Sequence, residues 1–322
     1  MYIGSTSRRH RRSQQRQGLN ANWDKNHSCY HPRSGTWFEI MLFGKARGSK
    51  LYTYTATTDN AVQKLDLELS TMPDRRAIVN PVKGKHPPAP GRLAIIAATQ
   101  IDLRLMADLA DMPVVEQRKL YMSTLQVHAD GQRRYTLVGP LIGAPYAAMV
   151  VESLKVWGVD TILFIGWCGA ISSRINAGDI ILPDSAMVDE GTSGHYCDPT
   201  CRVALPARPL MHQVRLALQH HGAAFHEGAV WTTDAIFRET VAKVKHFQSR
   251  GALVVEMEMS AIFTVAAFRE MEAAGLLVVS DELSDYTWRP GFKTPGFNEA
   301  REKSCRAALT LAKGVSTVTD EQ

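Results

Sequence analysis

Residues 254–268 read VVEMEMSAIFTVAAF, and this stretch predicts the point where a buried strand gives way to a helix. The apolar run 252–255 is typical of a strand in a parallel sheet, and apolar residues recur at helical spacing from Ala261 onward. Glu256 and Glu258 lie at the junction, at the sheet edge where open α/β proteins bind ligands. A charge facing a helix dipole would account for one acid but not for both. Because buried carboxylates are costly unless something uses them, the pair predicts a functional site.

Strand-like and helix-like segments alternate along the rest of the chain. Buried strands are predicted at 93–98, 161–165, 179–182, 227–232 and 276–280, a β-hairpin at 120–129 and 135–138 around Asp130-Gly131, and further helices at 102–110, 147–157, 209–221 and 298–313. This alternation predicts an α/β fold. We expect a single domain with a twisted, mostly parallel central sheet and helices on both of its faces.

Composition divides the chain into three parts. We expect residues 1–76 to form a basic, disordered leader and residues 93–316 to form the folded domain. Between them, residues 77–92 are rich in proline and glycine, which exclude a helix or a central strand, and they are predicted to be a linker.

The basic charge of the chain belongs to the leader. Residues 1–70 hold eleven Lys and Arg against five Asp and Glu, a net charge of +6, whereas the whole chain carries +5, so residues 71–322 carry −1. An arm that binds nucleic acid or a membrane surface is one interpretation. The leader lacks the interleaved aromatic residues of single-strand binders, and a true start at Met41 or Met72 would also explain it. We therefore expect neither a nucleic-acid partner nor a membrane partner.

The remaining composition is that of an ordinary globular protein, with 45% hydrophobic and 21% charged residues. No apolar run approaches the roughly 20 residues of a membrane helix, and no secretory signal follows the basic start. Five scattered cysteines in a large chain favour reduced thiols and a cytoplasmic location. His195, Cys197 and Cys201 lack a nearby fourth ligand, so we predict a loop there and no metal site.

Two further motifs follow buried strands. Gly166-Trp167-Cys168-Gly169 reads as a tight turn, where glycines would let backbone N–H groups approach a ligand, although the dinucleotide pattern GxGxxG is absent. Asp281 ends a strand and should lie at the same sheet edge as Glu256 and Glu258, unless it only caps the next turn. A pocket with three carboxylates and no obvious metal set suits a hydroxyl-rich, weakly basic ligand.

Four motifs in this order and spacing carry a family resemblance. They are GVDTILFIGWCGA at 158–170, AGDIILP at 177–183, VEME at 255–258 and VVSD at 278–281. Over residues 89–311 the chain resembles the nucleoside phosphorylases of the purine nucleoside and uridine phosphorylase type, a family that includes nucleosidases. The resemblance implies phosphorolysis of a nucleoside to free base and ribose 1-phosphate, in a homo-oligomer that needs no cofactor beyond inorganic phosphate as co-substrate. Hydrolysis by water and nucleoside binding without catalysis are the alternatives.

The resemblance also implies roles for individual residues. Glu258 matches the acid that holds the ribose hydroxyls, Met257 packs on the ribose, and Glu256 is expected to contribute to ribose binding beside them. Asp281 matches the catalytic acid that assists the leaving base. Residues expected to line the base are Thr233, Asp234 and Phe237.

The phosphate site departs from the family pattern. The family's Gly-Asp-x-x-Arg turn reads QIDLR at 100–104, so the glycine is missing while Arg104 keeps its register. Phe164 and Trp167 stand where the family has an arginine and a hydroxyl residue. The candidate phosphate-binding residues are therefore Arg104, Arg118, Gly143, Gly166 and Arg238.

Overall fold

The computed structural model describes residues 76–198 and 200–315 of the chain. Apart from residue 76, the predicted leader lies outside the described residues, and its disorder stays a prediction. Residues 77–91 form neither helix nor strand, and they lie against the domain, where Thr136 donates a hydrogen bond to the carbonyl of Pro90 at 2.7 Å. In the described part of the chain, no helix combines the length and apolarity needed to cross a bilayer.

Strands and helices alternate along the described residues. The strands are β1 (Leu93–Ala97), β2 (Val114–Leu120), β3 (Ser123–Asp130), β4 (Arg133–Gly139), β5 (Thr161–Ala170), β6 (Ile180–Asp189), β7 (Val203–Ala204), β8 (His226–Thr233), β9 (Val254–Glu256), β10 (Glu272–Glu282) and β11 (Arg289–Pro290). The α-helices are α1 (Gln100–Leu109), α2 (Ala144–Val156), α3 (Arg208–His220), α4 (Val241–Ser249), α5 (Met259–Phe268) and α6 (Pro295–Val315).

The strands form one sheet that closes on itself in part. Its order is β11-β10-β6-β8-β9-β5-β1-β4-β3-β2, and β10 pairs with β5 as well. Strands β10, β6, β8, β9 and β5 therefore make a five-stranded barrel, and β1, β4, β3 and β2 extend the sheet outward from β5.

The α/β prediction holds, but the sheet is mixed and not mostly parallel. Strand β5 runs parallel to β1 and β10, whereas β9 pairs with β5 antiparallel and β6 pairs with β10 antiparallel. The β2-β3-β4 meander is antiparallel throughout. Apolar runs show that a strand is buried and give no direction, which is why the sequence did not distinguish these pairings.

Helices pack on both faces of the open part of the sheet. Side chains of β1 alternate between two apolar clusters: Ala94 and Ile96 join one, and Leu93, Ile95 and Ala97 join the other. The first cluster is completed by α2 and α5, and the second by α1, α3 and α6. The carboxyl ends of β5 and β10 lie at a cavity, which Gly169, Ser280 and Asp281 help to line.

Strand β5 continues through the predicted glycine turn, which corrects the interpretation of residues 166–169. A Cβ on Gly166 would lie 2.6 Å from the Phe164 ring, and a Cβ on Gly169 would lie 2.8 Å from the Leu283 side chain. These glycines allow close packing within the barrel wall, and they do not form a turn. Strand β10 has a register shift between Val279 and Asp281 that sets Asp281 opposite Gly169.

Candidate functional site

A cavity of about 570 Å³ opens at the barrel end where β5, β9 and β10 finish. Its wall is mostly apolar, and its charged side chains are all acidic: Glu239, Glu256, Glu258 and Asp281. We call it the acidic cavity. Among the described residues, none that lines it is Lys, Arg or His. Such a site favours hydroxyl and N–H donors over anions.

Glu258 is buried at the start of α5, where the chain leaves β9. One carboxylate oxygen accepts a hydrogen bond from the backbone N–H of Gly143 at 2.6 Å. Gly143 has a φ of 85°, a left-handed conformation that favours glycine, and it precedes α2. Burial and the charge of Glu256 raise the pKa of Glu258, so a ligand that donates hydrogen bonds would stabilise its ionised form.

Glu256 lines the same cavity, but its oxygens are used inside the protein. One oxygen accepts the backbone N–H groups of Glu258 at 2.6 Å and Met259 at 2.7 Å, and the other accepts the Thr232 hydroxyl. Burial raises the pKa of Glu256 despite these bonds, which favour the carboxylate. Glu256 thus fixes the first turn of α5 and, through it, the position of Glu258.

Asp281 lies near the end of β10 with both oxygens occupied. Ser280 Oγ donates to one oxygen at 2.6 Å, and Trp288 Nε1 donates to the other at 2.9 Å. Burial nevertheless raises the pKa of Asp281, because desolvation outweighs the two hydrogen bonds. A carboxyl with a raised pKa holds its proton closer to neutrality, as a general acid requires.

Glu239 is a fourth carboxyl group in the cavity, and no pattern in the sequence singles it out. It lies between the 3-10 turn Ile236–Arg238 and α4. Burial and the charge of Asp281 raise the pKa of Glu239 to about 7. In the sequence it is one acid between Arg238 and Thr240, and an acid next to a basic residue is the usual pattern of a solvated charge.

Trp167 borders the cavity beside the start of α1. Its Nε1 donates to Asp102 at 2.7 Å, and the hydroxyl of Thr99 donates to the same oxygen at 2.7 Å. Arg301 of α6 lies below them, with Nε 2.7 Å from the other Asp102 oxygen and the guanidinium 5.5 Å from the Trp167 ring centroid. Arg301, the buried arginine of the described residues, is therefore neutralised by Asp102, and the Trp167 ring packs against its guanidinium.

A family model described as the phosphorylase superfamily matches residues 92–315. The chain belongs to the phosphorylase superfamily.

Its relatives include enzymes with named activities. A guanosine phosphorylase of Halorubrum lacusprofundi is 29% identical over 192 residues, which span 59% of this chain and 78% of that protein. A DeoD-type purine nucleoside phosphorylase of Brevibacillus brevis is 28% identical over 179 residues, which span 55% and 76%. A uridine phosphorylase structure from Vibrio fischeri shares the fold, with a TM-score of 0.60 and 21% identity, and the match covers 72% of this chain and 93% of that one.

Some of the site residues predicted from the family resemblance line the acidic cavity, and others do not. Lining residues include Glu256, Met257, Glu258, Asp281 and Phe237, the last 96% exposed at the mouth. Thr233 and Asp234 are not among the lining residues. Thr233 is buried in β8, and Asp234 accepts a hydrogen bond from the N–H of Gly191 at 2.9 Å.

The candidate phosphate ligands do not converge on the cavity within this chain. Arg104 and Arg238 are exposed, and Arg118 donates to the carbonyl of His86 at 2.8 Å and pairs with Glu116. Gly166 packs against Phe164 within the barrel. Only Gly143 of this group reaches the site, through its bond to Glu258. Those side chains that the structure describes include no cluster of His, Cys, Asp or Glu that could hold a metal ion.

Proposed function

We propose that this protein cleaves the N-glycosidic bond of a nucleoside by phosphorolysis, releasing the free base and ribose 1-phosphate. One observation carries the proposal: Glu258 and Asp281 line the same cavity in a phosphorylase-superfamily fold, and a backbone N–H holds Glu258 in place. The relatives named as guanosine and purine nucleoside phosphorylases support the same reaction.

The two carboxyls divide the work between sugar and base. Glu258 accepts hydrogen bonds from the ribose hydroxyls and holds the sugar against Met257, a positioning role. Asp281 gives a proton to a ring nitrogen of the base while the bond from C1′ to the base breaks. A phosphate oxygen forms the new bond to C1′, and the base leaves in its neutral form. We propose no cofactor besides inorganic phosphate.

The phosphate must be matched by positive charge that the described residues of this chain do not place in the cavity. Bringing a dianion next to four carboxyl groups is unfavourable without a cation. We propose that the protein acts as a homo-oligomer and that a neighbouring copy supplies the cation, with Arg118 on β2 as the candidate. A cytoplasmic location is consistent with the free thiols of the described cysteines Cys168, Cys197, Cys201 and Cys305.

Hydrolysis is the second candidate, and the lining of the cavity favours it. A water molecule needs no cation, and the cavity is lined by Thr99 and by Trp167, which stands where the family has a hydroxyl residue. In this case C1′ would bond to the oxygen of water, and the sugar product would be free ribose.

One assay separates the two reactions. Purified protein is incubated with guanosine, inosine, adenosine or uridine, with and without phosphate, and the sugar product is identified. We expect cleavage that depends on phosphate and yields ribose 1-phosphate. Release of free ribose at a rate that ignores phosphate would establish the hydrolase, and no cleavage of any nucleoside would refute both candidates.

A further inference from the structure

Helix α4 borders two different hollows, and the second has no role in the proposed reaction. Val241 and Val244 line the acidic cavity, whereas residues on the opposite side of the helix line a hollow of about 410 Å³. We call the second hollow the basic pocket. Its charged and titratable lining residues are Asp189, Arg202, Lys243, His246 and Arg250.

The basic residues of this pocket come from two elements that are distant in the sequence. Lys243, His246 and Arg250 recur at intervals of three and four residues, which places them on one side of α4 and its C-cap. Arg202 precedes β7, and its carbonyl accepts a hydrogen bond from the N–H of Val188 at 3.0 Å, which fixes this segment beside β6. The fold therefore brings Arg202 to the same hollow as the basic side of α4.

Among the described lining residues, one carboxylate faces these cations, and it is already engaged. Asp189 accepts hydrogen bonds from Nζ of Lys243 at 2.7 Å and from Nε1 of Trp231 at 2.9 Å, both at the same oxygen. It balances one positive charge, while Arg202 and Arg250 add further positive charge. Because residues 71–322 carry a net charge of −1, this excess is not the average of the domain. Like charges around one hollow repel each other, and a bound anion would relieve that repulsion.

The helix dipole is a simpler explanation for part of the basic pocket. Cations near the carboxyl end of a helix are favourable, which accounts for His246 and Arg250 without a ligand. Lys243 is accounted for by its ion pair with Asp189. Arg202 does not belong to the helix, so neither explanation covers its position at the same hollow.

The apolar part of the pocket lining is anchored in the core. Met187 of β6 and Phe247 of α4 belong to one apolar cluster, and the Phe247 ring stacks on Trp231 with a centroid distance of 4.4 Å. An apolar surface next to several cations fits a ligand that has both an anionic group and a ring. A volume of about 410 Å³ falls in the usual range for small-molecule sites.

We propose that the basic pocket is a second ligand site, and that it binds a phosphate monoester that carries an aromatic ring. The guanidinium groups of Arg202 and Arg250 donate charge-assisted hydrogen bonds to the phosphate oxygens, and the ring lies on Met187 and Phe247. The acidic cavity takes no part in this binding. The inference therefore does not rest on the proposed function, and either can fail without the other.

Calorimetric titration of the full chain at low salt tests the site with simple probes. Phenyl phosphate presents the ester and the ring, inorganic phosphate presents the anion alone, and phenol presents the ring alone. The variants Arg202→Gln and Arg250→Gln each remove one cation, from different elements. The matched control is Arg306→Gln on α6, an exposed arginine paired with Glu302. Arg118→Ala separates this site from the phosphate contact proposed for the reaction.

We expect wild-type protein to bind phenyl phosphate more tightly than either inorganic phosphate or phenol. Arg202→Gln and Arg250→Gln should each weaken phenyl phosphate binding by about fivefold or more, because each removes a charge-assisted hydrogen bond. Arg306→Gln and Arg118→Ala should change it by less than about twofold. Unchanged melting temperatures establish that the variants are folded.

Three results would overturn the proposal. Wild-type protein that binds no phenyl phosphate, or variants of Arg202 and Arg250 that bind it as well as the wild type, would remove the site. Inorganic phosphate that binds as tightly as phenyl phosphate would reject the ring-bearing ester as its ligand. A loss of binding in Arg118→Ala would assign the probe to the phosphate contact of the reaction and not to the basic pocket.

Discussion

At the scale of single residues, Glu256 and Glu258 differ in how far their carboxylate oxygens remain available to accept hydrogen bonds from a ligand. Replacing Glu258 by Gln should remove the charge-assisted hydrogen bonds that we propose it makes to the ribose, each worth about 1.5–3 kcal/mol. We expect kcat/KM to fall by about tenfold or more while the melting temperature stays close to that of the wild type.

Glu256→Gln is the matched comparison, measured by steady-state kinetics and urea unfolding. Its oxygens accept backbone N–H groups at the start of α5, so an amide there leaves donors facing each other. We expect a loss of about 1–3 kcal/mol in the free energy of unfolding. If Glu258→Gln has normal kinetics, or if Glu256→Gln reduces kcat/KM more than Glu258→Gln does, the ribose assignment is wrong.

Glu239 lines the acidic cavity together with Asp281, and we expect it to face the base, so its ionisation should make the preference for a base depend on pH. Its pKa is raised to about 7, so the carboxylate dominates above that pH and the protonated acid below it. Only the protonated form can donate to N1 of adenosine. We expect the ratio of kcat/KM for guanosine to that for adenosine to rise as pH increases through about 7.

Using a ratio isolates Glu239 from the other acids that face the cavity. Asp281 on β10, and Glu256 and Glu258 at the junction of β9 and α5, should act on both substrates, and the wall that the structure describes contains no Lys, Arg or His. Their titration should therefore change kcat/KM for both substrates alike and largely cancel in the ratio. In Glu239→Gln the ratio should be flat across the same pH range. A wild-type ratio that does not vary, or a variant ratio that still rises, contradicts the assignment.

Some of these residues could be predicted and others could not. Glu258 and Asp281 could be predicted from the sequence because acids next to apolar strand runs are rare and costly. The exposure of Arg104 could not be anticipated, since register in a motif does not give the direction of a side chain. Nor could the Asp102–Arg301 pair, whose partners are 199 residues apart. Long-range pairs of this kind leave no local pattern.

At the scale of elements, the strands were predictable as buried segments, whereas their directions and the barrel were not. Strand β9 illustrates the reason. It has three residues, and it pairs antiparallel with β5 on one side and parallel with β8 on the other. Its apolar sequence is compatible with either direction. The glycines of β5 predicted a turn that the structure does not have, because a glycine required for close packing looks the same in a sequence as one required for a turn.

That packing leads to a prediction at Gly169. A Cβ there would lie 2.8 Å from the Leu283 side chain and 3.1 Å from Oδ2 of Asp281. Gly169→Ala should therefore displace Asp281 and lower kcat/KM by about tenfold or more, with a loss of roughly 1–3 kcal/mol in the free energy of unfolding from overpacking.

Gly194→Ala is the control, because a Cβ at Gly194 would have nothing within 4 Å. It should leave both kinetics and unfolding close to those of the wild type. Wild-type activity in Gly169→Ala would show that the contact between β5 and β10 does not position the catalytic acid.

At the scale of the whole molecule, the charge balance of the site decides which nucleophile the cavity can hold. The described residues that line the acidic cavity include carboxyl groups and no cationic side chain, and Arg301 is already paired with Asp102. Phosphorolysis therefore requires positive charge from outside the described residues. Arg118 lies on β2, the terminal strand of the sheet, with its side chain 34% exposed, where a neighbouring copy could contact it.

Kinetics as a function of phosphate concentration tests this requirement. Arg118→Ala should raise the KM for phosphate by about tenfold or more and leave the KM for the nucleoside nearly unchanged, because only the anion loses its partner. Glu116→Gln breaks the same ion pair without removing the cation, so it should not raise the phosphate KM. Arg104→Ala, on the exposed face of α1, should also have no effect.

A phosphate KM that Arg118→Ala does not change would reject the neighbouring-copy hypothesis. A wild-type rate without any phosphate dependence would instead show that water is the nucleophile, which an all-acidic lining accommodates without further charge.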